Sequence, residues 1–401
     1  MLNQKNIFYL FPLLLLIVSP AVCQAQFLDS FNGEKLSGWE YYTGDGLATM
    51  DFTQLDGFAR ISVDASNDPH NVWWAIIKRD VAEFLDLSKL EHPDYELRVE
   101  AKVRLSHAPR RLNFMVNTQR TTNYHKQLRE YDIPDTTNWH VISMTTNDLD
   151  AVPGDDLNVQ LGVTDWGYGK YEVDIDYYRA DIVNVKEVEA DKGEPLIYHP
   201  PIPETDSFTS HLVADQDAVI STDFPDVNFF NWHIFDKEGN TRILTVNGTQ
   251  WIVLKWDFSH LEEPIVDEAG LLELTTHSLA LGGDYEAVFG EDLGMEFGKI
   301  RIIEILDGAP DWEVNTVSYN NITQSKPYAA VFNEQMIYDA DVKGENGAKN
   351  YITLSRPVLQ RLLNGKTKGL LIRPLGVINA SFFGNDGENK KVAPKLHFSV
   401  K

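Results

Sequence analysis

Tyr95-Glu-Leu-Arg-Val-Glu-Ala-Lys-Val-Arg-Leu105 alternates apolar and charged residues along its whole length. A period of two places successive side chains on opposite faces, so this run predicts a strand with one face buried and one face wet. Leu112-Asn-Phe-Met-Val-Asn117 and Tyr171-Glu-Val-Asp-Ile-Asp-Tyr177 repeat the pattern. Helical periodicity is confined to short pieces, Pro357–Leu363 and Val81–Leu90. Many short strands parted by Gly, Asn, Asp and Pro turns predict an all-β fold of antiparallel sandwiches or jelly rolls.

The organisation follows from breaks in this pattern. Residues 1–25 read as a signal peptide: Lys5, then an apolar run from Phe8 to Val22 interrupted by Pro12 and Pro20, then Cys23-Gln-Ala25 before Gln26. The run is too short to span a bilayer, so membrane insertion is not expected. Export through a cleavable signal predicts a periplasmic or extracellular protein. Cys23 is the only cysteine, which leaves the mature chain without disulfides, thiolate metal sites or a cysteine nucleophile. Alternation stops between Glu187 and Asp206, where Glu194-Pro-Leu-Ile-Tyr-His-Pro-Pro-Ile-Pro-Glu204 carries four prolines. This stretch predicts a stiff linker over 188–205 between modules at 26–187 and 206–401.

Charge narrows the partners. The formal net charge of −25 disfavours nucleic acid and anionic membranes. Against that background, eight Lys or Arg residues face one acid, Glu100, between Arg98 and Arg129. Arg98, Lys102 and Arg104 are expected on the wet face of the first strand quoted. Arg110, Arg111 and Arg120 share a segment rich in amides and histidine, suited to an anionic glycan. If Leu112, Phe114 and Val116 face the core, then Arg111, Asn113, Met115, Asn117 and Gln119 line the opposite face. That face reads either as a sugar-binding floor or as an ordinary polar surface.

The second module resembles the DNRLRE-type β-sandwich found beside polysaccharide-degrading enzymes. The resemblance is carried by Val213-Ala-Asp-Gln-Asp-Ala-Val219, Gln250-Trp-Ile-Val-Leu-Lys-Trp-Asp-Phe-Ser259, Ala269–Thr275, Asp311-Trp-Glu313 with Thr316-Val-Ser-Tyr-Asn-Asn321, and Pro394-Lys-Leu-His-Phe-Ser-Val400. It implies adhesion or spacing rather than catalysis, and Trp256 and Trp312 are expected in the core. The first module resembles the jelly rolls of carbohydrate-binding modules and polysaccharide lyases, with Phe27–Phe31 and Asp181–Val185 as first and last strands. In such folds Asp29 and Asp181 are candidates for a structural calcium; solvated carboxylates are the alternative.

Ser106-His-Ala-Pro-Arg-Arg-Leu-Asn-Phe-Met-Val-Asn-Thr-Gln-Arg-Thr-Thr122, with Asp132-Ile-Pro-Asp-Thr-Thr-Asn-Trp-His140, resembles the ulvan-oligosaccharide dehydratases of marine Bacteroidetes. The resemblance implies a carbon–oxygen lyase that removes water from a terminal uronate and leaves a 4,5-unsaturated sugar. Elimination needs the carboxylate neutralised, the C5 proton removed and the C4 leaving group protonated, and it needs no cofactor. The candidates for these roles are Arg111, Asn117, His125 as base, and Tyr131. Arg110, Asn113, Gln119, Arg120, Tyr124, His107, Trp74, Lys78 and Trp166 are candidates for gripping the uronate- and sulfate-bearing glycan. A non-catalytic binder of anionic polysaccharide and a chain-cleaving lyase are the competing readings. No nucleotide-binding fingerprint, G-x-S-x-G elbow or H-E-x-x-H occurs in the chain.

Overall fold

In the computed structural model, the residues described are 26–33, 36–43, 47–67, 74–124, 126–164, 169–195, 205–230, 234–235, 242–262, 264–281, 299–309, 311–375, 378–387 and 390–401. Among them the first module holds eleven strands: β1 (Phe27–Asp29), β2 (Trp39–Thr43), β3 (Thr49–Leu55), β4 (Phe58–Asp64), β5 (Trp74–Asp80), β6 (Tyr95–Leu105), β7 (Arg110–Thr118), β8 (Leu128–Ile133), β9 (His140–Thr145), β10 (Leu157–Thr164) and β11 (Lys170–Asn184). They form two antiparallel sheets. One has the order β3-β4-β11-β6-β9, with β1 also on β11; the other has the order β2-β5-β10-β7-β8. The expected first and last strands are therefore neighbours, with Phe27 opposite Ala180.

The alternation in the sequence becomes the core between these sheets. Leu97, Val99, Ala101 and Val103 of β6 are buried against Leu112, Phe114 and Val116 of β7 and Leu157, Val159 and Leu161 of β10. Burying such side chains contributes about 1.5–3 kcal/mol each. The parity of β11 changes midway. A bulge between Ile175 and Tyr177 turns Tyr178, Ala180 and Ile182 inward and sends Tyr177 out to donate a 2.9 Å hydrogen bond to Glu100. The helix expected over Val81–Leu90 is instead two 3-10 turns, Ala82–Phe84 and Leu87–Glu91.

The second module is also a β-sandwich, with sheets of seven and five strands. Gln250–Lys255, Gly270–Leu281 and Lys395–Phe398 are strands where strands were expected. Trp256 and Trp312 are buried. The Pro357–Leu363 piece lies within a helix, Arg356–Leu363, with proline in its first turn.

Two expectations about organisation are corrected. Residues 189–195, predicted as linker, are a strap on the first module: Ser143 N donates to Lys192 O at 3.0 Å, and Asp132 N to Glu194 O at 3.1 Å. Arg98, predicted wet, lies beneath that strap at 3% exposure, hydrogen-bonded to Glu189 O and Ser143 Oγ. Nor are the modules separate. Arg361 of the second reaches Asp132 of the first at 3.3 Å, and Arg356 pairs with Glu194. Among the described residues no helix is long and apolar enough to cross a membrane.

Candidate functional site

Register builds a polar floor on the outer face of the five-stranded sheet. Glu40 of β2, Lys78 of β5, Gln160 of β10, Met115 of β7 and Leu128 of β8 stand side by side. The adjacent row is Tyr42, Ile76, Gly162, Asn113 and Glu130. Flanking it are Asn117 opposite Asn158, and Arg111 opposite Asp132. The period of two makes these residues share one face, since their neighbours Leu112, Phe114, Val159 and Leu161 occupy the core.

Two groups on this floor have chemistry to spare. Lys78 is half-buried and makes no ion pair among the described residues, although Glu40 stands opposite it in the register. Asn113 is 4% exposed, and its Oδ1 receives no hydrogen bond from the described residues. Gly162 makes room for it: a Cβ there would stand 2.8 Å from Asn113 Oδ1. Beside them Gln160 Nε2 donates to Asn117 Oδ1, which fixes both amides. Tyr42, 38% exposed, offers a ring at the open edge.

The β8 end of the floor is a charged junction. Arg111, 4% exposed, stands 3.7 Å from Glu130. Burial pushes the Asp132 carboxyl up to about 6, with Arg361 and Arg111 opposing that shift and Glu304 adding to it. Arg111 is thus held within a network of acids, and Lys78 is the more open cation of the face.

The other sequence-derived candidates fall elsewhere, for identifiable reasons. Tyr131 has the parity of Leu112, not of Arg111. It is buried against Phe114 and donates to Ser143 O, which makes it a core residue rather than an acid or base. Arg110 also points inward, with its guanidinium 3.5 Å from the Tyr171 ring centroid. Burial pushes it down to about 10. His107 is exposed at that end of the sandwich, beside a cleft with Ser106, Lys170 and Glu172. Its pKa is lowered by burial and by Arg110.

Gln119 and Arg120 lie past the end of β7 and grip Asp155 at 2.9 and 2.7 Å, so Gln119 does not extend the floor. Tyr124 is exposed in the following turn. Trp74 lies on β5, its side chain outside the described residues, and His125 and Trp166 fall outside them altogether. Asp29 and Asp181 do not fit a shared calcium. Asp29 lies opposite Tyr178, three positions from Asp181, and accepts hydrogen bonds from Phe31 N and Trp39 Nε1. Asp181 accepts from Gln26 N.

No protein-family model matches the chain, and no curated protein does. The chain is similar to carbohydrate-binding β-sandwich modules. The CBM22-1 xylan-binding domain from Paenibacillus barcinonensis Xyn10C aligns at 17% identity over 40% of this chain and 96% of that one, with a TM-score of 0.28. The CBM22-1–CBM22-2 tandem domain of the same protein aligns at 13% identity over 94% of this chain and 97% of that one, also at 0.28. A structure described by the promiscuous specificity of carbohydrate-binding modules of the β-sandwich superfamily aligns at 14% identity and a TM-score of 0.27. That alignment spans 40% of this chain and 61% of the other. The assignment to the all-β sandwich class rests on the strand pairing itself.

Sequence reasoning missed Gln160, Glu40 and Tyr42. The alternation in Leu157-Asn-Val-Gln-Leu-Gly-Val-Thr164 carried the signal for Gln160. Trp39-Glu-Tyr-Tyr-Thr43 has no clear period, so nothing local assigned Glu40 and Tyr42 to this face.

Proposed function

We propose that the first module binds the uronate-bearing end of an anionic oligosaccharide on this floor and removes water from it. The observation that carries the reading is the row Lys78–Gln160 beside Asn113, where a cation without an ion pair and a buried carbonyl without a hydrogen bond, both among the described residues, stand beside fixed amides. A uronate supplies the carboxylate that such a cation takes and the hydroxyls that amides hold. In the elimination, a base removes the C5 proton and its electrons form the C4–C5 double bond. The C4 hydroxyl leaves as water after gaining a proton. Lys78 stabilises the carboxylate as charge builds at C5. Proton abstraction is assigned to His125, which lies between β7 and β8 in the sequence. The sequence resemblance of Ser106–Thr122 and Asp132–His140 to ulvan-oligosaccharide dehydratases supports the direction of this reading.

A second reading, glycan binding without turnover, is favoured by the burial of Tyr131, one of the groups expected to move protons. Incubating the purified chain with ulvan oligosaccharides separates the readings by ultraviolet absorbance and mass spectrometry. The dehydratase produces an unsaturated terminal sugar one water lighter. Retention of the sugar with no change in mass indicates a binding module, and shortening of intact polymer a chain-cleaving lyase.

A further inference from the structure

We propose that the second module is a working part of the glycan face, with Arg361 as a positioning residue that acts through Asp132 on Arg111. The inference rests on the reading that this face binds the sugar. It names a contribution that the second module makes to it.

Arg361 is itself held in place. Its Nε and Nη2 donate to the two oxygens of Glu304, each at 2.9 Å. Glu304 is oriented in turn by Thr367 Oγ1 at 2.6 Å and Asn333 Nδ2 at 3.0 Å. From that anchor Arg361 turns Nη1 and Nη2 to Asp132 Oδ2, both at 3.3 Å. The other oxygen, Asp132 Oδ1, is buried without a hydrogen bond from the described residues. Arg361 therefore supplies the hydrogen bonds that the carboxylate has among them.

The same helix grips β8 a second time, through Arg356 and Glu194, whose backbone carbonyl accepts from Asp132 N. Asp132 stands opposite Arg111 in the β7–β8 register. The floor thus ends on Arg111, which pairs with Glu130 and lies beside a carboxylate, Asp132, fixed by the other module.

The physical consequence is a dependence on charge. A carboxylate at 1% exposure ionises only if cations offset its lost hydration. The charged groups facing Asp132 are Arg111 from β7, Arg361 and Glu304 from the second module, and Glu130 and Glu194 with Arg356 close by. Two of these favour its ionised form directly, Arg361 and Arg111. Removing Arg361 leaves Glu304 to oppose ionisation, so Asp132 takes up a proton and ceases to counter Arg111.

The test is oligosaccharide affinity across pH, measured by calorimetry on the full-length chain with a uronate-terminated ulvan oligosaccharide as probe. The affinity of the wild-type chain for this anionic probe should rise as pH falls through about 6, where Asp132 protonates and no longer counters Arg111. Arg361→Met should move that midpoint up by at least about one pH unit, so that it binds more tightly than the wild type at neutral pH and matches it at higher pH. A merely structural lesion would weaken binding at every pH. Arg361→Lys, which keeps the charge, should hold the midpoint near the wild-type value, and Asp132→Asn should flatten the profile. The second pair decides the matter even if Arg361→Met fails to fold. An unchanged midpoint in Arg361→Met, or a wild-type profile in Asp132→Asn, overturns the proposal. No binding by the wild-type chain at any pH would instead remove the reading on which it rests.

Discussion

Arg361 and Asp132 lie 229 residues apart in the chain, yet Nη1 and Nη2 of the one stand 3.3 Å from Oδ2 of the other in a buried interface. Ion pairs withdrawn from water are costly unless every charge is answered. Here Glu304 answers Arg361 from behind, and Thr367 and Asn333 donate to Glu304 in turn. The two sandwiches therefore meet through a specific polar contact. The strap at 189–195 adds a second connection, because it completes the edge of the first module before the chain departs for the second.

The strap makes a prediction about truncation. A chain ending at Glu187 loses the partners of Ser143 N, Asp132 N and Arg98. It should melt well below a chain ending at Pro195, as followed by circular dichroism. Equal melting of the two would mean that the strap contributes nothing to the first sheet.

Arg98 gives a sharper form of the same argument. Its guanidinium donates to Glu189 O at 2.6 Å, Ser143 Oγ at 2.8 Å and Ala190 O at 3.3 Å. Arg98→Ala should cost roughly 3–5 kcal/mol in denaturant unfolding, as for other buried charged groups stripped of their partners. Lys102→Ala, on the same strand but a third exposed and paired with Asp176, should cost within about 1 kcal/mol. Similar losses for the two would restore the wet-face reading of Arg98.

Why the sequence misled here is physical. Alternation reports that one face of β6 is apolar, and this held from Leu97 to Leu105. It cannot report what later covers the other face. The cover over Arg98 comes from residues 189–192, about ninety positions on. The same parity rule located the Arg111–Asn117 floor and also contained the answer for Tyr131. In Leu128-Arg-Glu-Tyr-Asp-Ile133, tyrosine shares its side with Ile133 and aspartate shares the side of Glu130. The Arg361–Asp132 contact had no local signal at all, because neither segment's pattern depends on the other.

A pH prediction arises on the strand Gly270–Leu281 of the second module. Burial opposes ionisation of Glu273, but hydrogen bonds from His397 and Lys349, with the charges of Lys395 and Lys349, bring its carboxyl down to about 2. A carboxyl whose folded value lies below its unfolded one stabilises the fold above the unfolded value. That contribution is lost as pH falls toward the folded one. Wild-type stability should therefore fall between about pH 4.5 and 2, with this group contributing about 3 kcal/mol of the loss. In Glu273→Gln that part of the slope should be missing and the neutral-pH stability lower. An identical acid profile in the variant, followed by urea unfolding at several pH values, would assign the acid sensitivity to other carboxylates.

The most direct test of the glycan face compares two lysines on opposite sheets. Lys78 lies on the floor without an ion pair among the described residues, and Lys102 lies on the six-stranded sheet paired with Asp176 at 2.7 Å. Titrating a uronate-terminated ulvan oligosaccharide into wild type, Lys78→Ala and Lys102→Ala measures what each contributes to binding. A charge-assisted contact to a carboxylate is worth about 1.5–3 kcal/mol, so Lys78→Ala should bind at least about tenfold more weakly. Lys102→Ala should match the wild type. Undiminished affinity in Lys78→Ala, or an equal loss in Lys102→Ala, would contradict the placement of the sugar on this face.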